Sequence, residues 1–154
     1  MEACEYKKSF LEINPKIIVI TNIDNDHLDY YKNLNNIKKA FAEFVSKLPE
    51  GGYLICDPND KNLKEVIKKT KAKIIDYTKI IAGFNLKIPG QHNIKNAKAA
   101  MSVAKILDID EKEAIKSLND FFGTWRRFEY KGETKNGVLI YDDYGHHPTE
   151  IKAT

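Results

Sequence analysis

The sequence predicts an α/β protein: a layered, mostly parallel sheet with flanking helices, followed by the start of a second α/β unit. Three observations carry this expectation. Short apolar runs, Lys16 to Ile20, Tyr53 to Cys56 and Lys73 to Tyr77, alternate with segments of helical periodicity, the pattern of parallel strands joined by crossover helices. The first two runs empty into polar loops, Thr21 to His27 and Asp57 to Asp60, as strands do where a sheet presents its carboxyl ends. Asn136-Gly137, between two extended stretches, reads as a hairpin turn and places a different kind of unit near the end of the chain.

Taken in order, Met1 to Glu5 has no capping or leader character. Lys16 to Ile20 is β-branched and apolar enough for a strand buried on both faces. From Asn33 to Leu48, Leu34, Ile37, Phe41, Phe44, Val45 and Leu48 recur at helical spacing, and Pro49-Glu50-Gly51-Gly52 stops the helix. Tyr53 to Cys56 is a short strand. Asn59 or Asp60 then caps a helix whose buried side carries Leu63, Val66 and Ile67. Lys73 to Tyr77 is a third strand, and Ile80 to Ile88 a further extended segment. Pro89 to Asn93 leads into a helix from about Ile94 to Leu107, with Ala97, Ala99, Ala100 and Ala104 allowing close packing. A second helix runs from Asp110 to about Phe121, with Asp110 as cap and Glu113 as the matching acid. Gly123 to Glu129 turns the chain into a new strand, Val138 to Asp142 forms the next, and Pro148-Thr149-Glu150 opens a helix. A domain boundary is expected near Gly123, dividing residues 1–122 from 123–154. The second unit is too short to hold a core by itself.

Composition excludes several classes. Hydrophobic content of 42% with 31% charged residues is that of a soluble globular chain, so disorder and fibrous structure are set aside. The net charge of +3 comes from 25 basic against 22 acidic residues, with most lysines on expected helix faces, and gives no reason to invoke nucleic acid. No run is long enough to span a membrane and no signal-peptide pattern occurs, from which a cytoplasmic protein is expected. Cys4 and Cys56 form neither a CxxC pair nor a zinc pattern. The four histidines, His27, His92, His146 and His147, all fall inside segments rich in other reactive side chains.

Those segments are four. Glu2 with Asn22 to His27 offers a carboxylate and an imidazole at the ends of neighbouring strands, a donor set that suits Mg²⁺ or Mn²⁺ better than zinc. In Gly90 to Asn96, Asn93 and Asn96 lie three apart on one helical face, and their amides can both donate to and accept from a base edge. Arg126-Arg127, beside Trp125 at the expected hinge, presents guanidinium forks suited to phosphate oxygens. Tyr141 to Glu150, Y-D-D-Y-G-H-H-P-T-E, packs three acids, two tyrosines and two histidines directly after an apolar run. Each segment alone also fits a plain structural role, a polar turn or a helix cap.

Together they resemble the Mur ligase family of ATP-dependent amide-forming enzymes. The residues that carry the resemblance are T-N-I-D-N-D-H-L-D-Y-Y at 21–31, P-G-Q-H-N-I-K-N-A at 89–97, F-F-G-T-W-R-R-F-E at 121–129 and D-D-Y-G-H-H-P-T-E-I at 142–151. The resemblance implies that ATP converts a substrate carboxylate to an acyl phosphate, which an amine then displaces. It implies Glu2 and His27 as ligands of Mg²⁺ or Mn²⁺, Asn93 and Asn96 with His92 on the adenine side, and Arg127 at the nucleotide phosphates. Asp142 or Asp143 would stand near the ribose or hinge, with Tyr144 and His146 around the incoming amino acid or product carboxylate; Arg127 and His146 are the implied catalytic pair. Within the family, the Y-G and E-I positions favour the branch that joins L-alanine to UDP-N-acetylmuramate over the branch that recycles murein tripeptide onto the same sugar. Residues 1–122 are then part of the central ATP-binding domain and 123–154 the hinge and beginning of the C-terminal domain.

The chain also departs from the family. No glycine-rich phosphate loop occurs among its eight glycines, and these residues are not expected to include the family's domain for the UDP-sugar. A fragment of the ligase is therefore expected, inactive in isolation. A non-catalytic nucleotide-binding module is the alternative if the chain is complete.

Overall fold

Three parallel strands carry the first unit: β1 (Ile17–Val19), β2 (Tyr53–Cys56) and β3 (Lys73–Asp76), in the spatial order β1-β2-β3. The computed structural model describes residues 1–154. Ile17 to Val19 pair with Tyr53 to Ile55, and Tyr53 to Cys56 with Lys73 to Asp76. β2 is central, and Leu54, Ile55 and Cys56 are completely buried, as a strand covered on both faces requires. Burial of Lys16 to Ile20 on both faces is borne out only in part. Ile18 and Ile20 are buried, but Val19 is 41% exposed, because β1 lies at an edge and one of its faces has no covering layer.

Two helices follow β1, the single turn α1 (Leu28–Tyr31) and α2 (Leu34–Ser46). Asn33 caps α2 by accepting the Asn36 N–H at 3.0 Å. Ile37, Ala40, Phe44 and Val45 point from α2 into the main core, where they meet Leu54, Leu63, Val66 and Phe10. Phe10 comes from a 3-10 segment at Tyr6–Glu12, its ring 4.5 Å from that of Phe44 and 5.2 Å from that of Phe41. Between β2 and β3 the expected helix does not form. The chain runs through turns into a 3-10 segment at Ile67–Lys69. Asp60 caps this stretch as expected, its carboxylate accepting the Asn62 N–H at 2.7 Å, and the Lys64 and Ile67 N–H groups reach the Asp60 and Leu63 carbonyls, but these bonds do not run on into a continuous helix. Leu63 and Val66 are nonetheless buried, as their spacing predicts.

Ile80 to Ile88 joins no sheet and crosses irregularly to the next helix, with Ile81 almost fully exposed. That helix, α3 (Gln91–Ile106), starts three residues before the expected Ile94 because Gly90 serves as its cap residue. α4 (Glu111–Asp120) is capped as predicted, the Asp110 carboxylate accepting the Glu113 N–H at 3.0 Å. Small residues seat α3: Ala99 packs with Ile55 and Tyr77, and Met101 and Ala104 pack with Ala114 of α4.

Beyond Gly123 the chain forms an antiparallel hairpin of β4 (Glu129–Glu133) and β5 (Leu139–Asp142), then α5 (Pro148–Ala153). Gly137 takes a φ of +79° in the turn, the left-handed backbone expected of Asn-Gly. No residue after Ala114 is buried. The second unit therefore has no core of its own, in keeping with its length.

Candidate functional site

A cleft of about 1480 Å³ lies between the sheet unit and the hairpin unit. Its walls come from the loop Thr21 to Asp26, the first turns of α3, Arg127 and the segment Asp143 to Glu150. Four segments far apart in the chain thus face one space, and each is one that the sequence singled out.

The loop after β1 is held at its base by the Asn62 amide, which donates to the Ile23 carbonyl at 2.8 Å. His27 sits at its end with a left-handed φ of 51°. Its Nε2 lies 3.3 Å from Glu5 Oε1 and its Nδ1 3.9 Å from Asp26 Oδ1. One donor atom from each of Glu5, Asp26 and His27 falls within 4.8 Å of the others. Two carboxylates and an imidazole fit a hard divalent cation. Glu2, the expected partner of His27, lies exposed on the cleft wall outside this group. Glu5 and Asp26 escaped the sequence reading; the E-A-C-E spacing and the acid adjacent to His27 were the available signals.

At the start of α3, Gly90 has a φ of +99°, and a Cβ there would stand 2.5 Å from the His92 ring. Glycine thus supplies both the backbone geometry and the room for His92. The Asn93 amide donates to the Pro89 carbonyl at 2.6 Å and so is partly committed to the local turn. Asn96 is exposed on the cleft with no side-chain hydrogen bond of its own, leaving its amide free for a ligand.

The hinge separates two pairs of neighbours that the sequence left together. Arg126 and Phe128 both adopt left-handed backbone, with φ of 56° and 48°. Arg126 turns away from the cleft, its Nε 3.3 Å from Asp142 and its guanidinium over the rings of Trp125 and Tyr144. Arg127 lines the cleft and meets Glu150 at 3.5 Å. Asp143 lines it too, while Asp142 does not. The Asp143 carboxylate accepts the N–H groups of Gly145 at 2.6 Å and Phe128 at 2.7 Å. Those backbone bonds, Gly145 first, hold its pKa below the ordinary carboxylate value, with Arg127 and His92 adding attraction. A Cβ on Gly145 would stand 2.6 Å from Asp143 Oδ1, so the residue between the acids and the histidines has to lack a side chain.

Tyr144 and His146 lie outside the cleft lining, exposed and edge to face with ring centroids 5.6 Å apart. His147, to which the sequence gave no role, turns inward. Its Nε2 lies 2.9 Å from the Asn25 carbonyl, and the Thr149 hydroxyl donates to Asp24 at 2.8 Å. Asp24 is held below the usual carboxylate range, chiefly by the Asn25 N–H and then by Thr149.

The sequence profile of the Mur ligase middle domain matches residues 1–83. The UDP-N-acetylmuramate–L-alanine ligase of Clostridium tetani is 43% identical over 180 residues, spanning 99% of this chain and 39% of its own length. The chain thus spans well under half of such relatives. Because the aligned stretch of 180 residues exceeds the chain's 154, the relative also carries at least 26 positions inside it that this chain lacks. Among solved structures, the UDP-N-acetylmuramate-alanine ligase from Thermotoga maritima superposes with a TM-score of 0.71 at 24% identity, covering 95% of this chain and 38% of that one. The MurF ligase from the same organism, solved in complex with ADP, also gives 0.71, at 18% identity over 94% of this chain and 40% of that one. At those identities the structural matches speak to the fold alone. With the profile covering more than half of its residues, the chain belongs to the Mur ligase family.

Proposed function

We propose that the chain forms the nucleotide- and metal-facing part of a cytoplasmic ATP-dependent ligase that joins L-alanine to UDP-N-acetylmuramate in peptidoglycan synthesis. Residues 1–122 are then part of the central ATP-binding domain and 123–154 the hinge and start of the C-terminal domain. The observation that carries the reading is the convergence on one cleft of the Thr21 to Asp26 loop, which leads directly to His27, the α3 start, Arg127 and Asp143. The names of the relatives at 43% identity support the substrates.

Each residue then has a chemical task. Glu5, Asp26 and His27, with Glu2 on the adjacent wall, would hold Mg²⁺ or Mn²⁺, whose charge offsets that of the nucleotide phosphates. Asn96, helped by Asn93 and His92, reads the adenine edge. Arg127 exchanges Glu150 for phosphate oxygens, a stronger charge-assisted contact, and stabilises the charge that develops as the γ-phosphoryl group moves. Asp143, kept ionised and pinned, accepts from a ribose hydroxyl; Asp142, bound to Arg126, braces the hinge. Tyr144 and His146 face the incoming amino acid in the assembled enzyme. The substrate carboxylate attacks the γ-phosphorus to give an acyl phosphate and ADP. The alanine amine then attacks the acyl carbon, expels inorganic phosphate and loses a proton, a step for which His146 is the proposed base.

The test is to replace the matching segment of the Clostridium tetani relative with this chain and follow phosphate release in the presence of UDP-N-acetylmuramate. Release that depends on L-alanine and disappears in Arg127→Ala supports the reading. Release with murein tripeptide instead assigns the recycling reaction, and ATP binding without release under either condition assigns a nucleotide-binding module. The purified 154-residue chain, which has no phosphate-loop spacing among its glycines, is expected to bind nucleotide without turnover.

A further inference from the structure

Two side chains of the D-D-Y-G-H-H-P-T-E stretch have no part in the reading above, yet they make the longest-range side-chain bonds in the molecule. His147 reaches the Asn25 carbonyl across 122 residues of sequence, and Thr149 reaches the Asp24 carboxylate across 125. Both donors come from the start of α5, His147 as its cap and Thr149 in its first turn, and both acceptors from the loop that ends in Asp26 and His27. We infer that His147 and Thr149 are positioning residues, a latch that fixes the Asp24 to His27 loop against the hinge unit and so sets the arrangement of Asp26 and His27. The consequence for metal affinity rests on the proposed metal reading of Glu5, Asp26 and His27; the latch itself does not.

The imidazole is suited to this task in one tautomer. His147 Nδ1 accepts the Thr149 N–H at 3.2 Å, capping α5, which leaves Nε2 to carry the proton and donate to the Asn25 carbonyl at 2.9 Å. One ring thus joins the helix start to the loop backbone. Glu150 completes the arrangement by accepting the His147 N–H at 3.4 Å, a reciprocal cap that fixes where the ring begins. On the other side, Asp24 is divided between two tasks: Oδ1 accepts the Asn25 N–H at 2.7 Å and Oδ2 the Thr149 hydroxyl at 2.8 Å. The loop needs such support. His27 is a non-glycine residue in left-handed backbone, a conformation that persists when surrounding contacts over-determine it. Its own N–H is tied to Asp26 Oδ1 at 2.7 Å, so a shift of the loop would move the carboxylate and the imidazole together.

The experiment uses the full 154-residue chain and three substitutions that separate the roles. Thr149→Val removes the hydroxyl at nearly constant volume. His147→Asn keeps an acceptor for the helix cap but withdraws the Nε2 donor. His147→Gln keeps a donor near the Nε2 position and gives up the cap. Amide hydrogen exchange at Asn25, Asp26 and His27 is expected to quicken by roughly tenfold in the Thr149→Val, His147→Asn double variant, with α2 unchanged, and His147→Gln is expected to recover most of the protection. Mn²⁺ affinity, read from the EPR signal of the free ion, is expected to fall by about tenfold in the double variant, the range known for groups that orient metal ligands without touching the metal. Unchanged exchange in the loop would overturn the latch. Faster exchange with wild-type Mn²⁺ affinity would overturn its role in positioning the ligands. If neither the wild-type chain nor His27→Ala binds Mn²⁺, the metal reading fails, and the exchange data alone decide the latch.

Discussion

Asp143 shows how a single carboxylate can be fixed at a surface without burial. Two N–H groups, from Phe128 and Gly145, point at its two oxygens, and Gly145 leaves the space the carboxylate occupies. Gly145→Ala is therefore expected to break the shorter bond and let the Asp143 pKa return toward 3.8, a change that carboxyl NMR titration reads directly. The sign follows from the depressed folded-state value. The stabilisation is fully present above 3.8 and is lost only as pH falls through the lower folded-state pKa, and solvent screening keeps it small. Cys56 is the opposite case: burial, reinforced by Asp76, Asp57 and Asp60, pushes its thiol up to about 12. Iodoacetamide at pH 8 is expected to label exposed Cys4 alone until the chain is unfolded; labelling of both in the native state would contradict the packing of β2. At this scale the sequence was a good guide to residue type and a poor one to direction. His27 and Arg127 were legible because few side chains can do their chemistry. Asp142 and Asp143 could not be told apart, because neighbours at a strand end point to opposite sides and only the tertiary position of the cleft decides which side matters.

Among the elements, α2 carries the strongest sequence signal and the most core. Phe44→Ala removes a ring from the centre of that core and is expected to cost about 3–5 kcal/mol in denaturant unfolding. Asn33→Ala, which takes away only the cap, is expected to cost about 1 kcal/mol. If the two substitutions cost the same, the core assignment is wrong. α2, α3, α4 and all five strands were legible from periodicity and capping residues. The stretch between β2 and β3 was legible in its Asp60 cap and its buried Leu63 and Val66 but not in its regularity, since it runs as successive turns and a 3-10 segment rather than a continuous helix. Ile80 to Ile88 is extended in expectation, and its lack of a partner strand has a different origin. Apolar residues can be extended without a partner strand, and nothing local in the sequence states whether a partner exists.

For the whole molecule, burial ends at Ala114, while the candidate site extends to Glu150. The hairpin and α5 are thus placed by hydrogen bonds and ion pairs rather than by a core. Trypsin is expected to cut first in the 123–154 unit, at Arg126, Lys131 or Lys135, and to leave α2 intact much longer; early cleavage in α2 would show that the sheet unit is the weaker one. The family resemblance was visible because its four motifs are local runs of reactive residues. The positions that relatives carry and this chain lacks left no mark that the chain's own residues display.

The central claim is that one cleft holds nucleotide and metal together. Its most direct test is equilibrium dialysis of the 154-residue chain against labelled ATP with Mn²⁺, counting the ATP and Mn²⁺ retained with the protein in wild type, Arg127→Ala and His27→Ala. The account predicts joint binding by the wild type, a loss of about tenfold or more in Arg127→Ala for the missing charge-assisted phosphate contact, and a loss of the bound Mn²⁺ in His27→Ala. Joint binding that is equally strong in all three chains would contradict it.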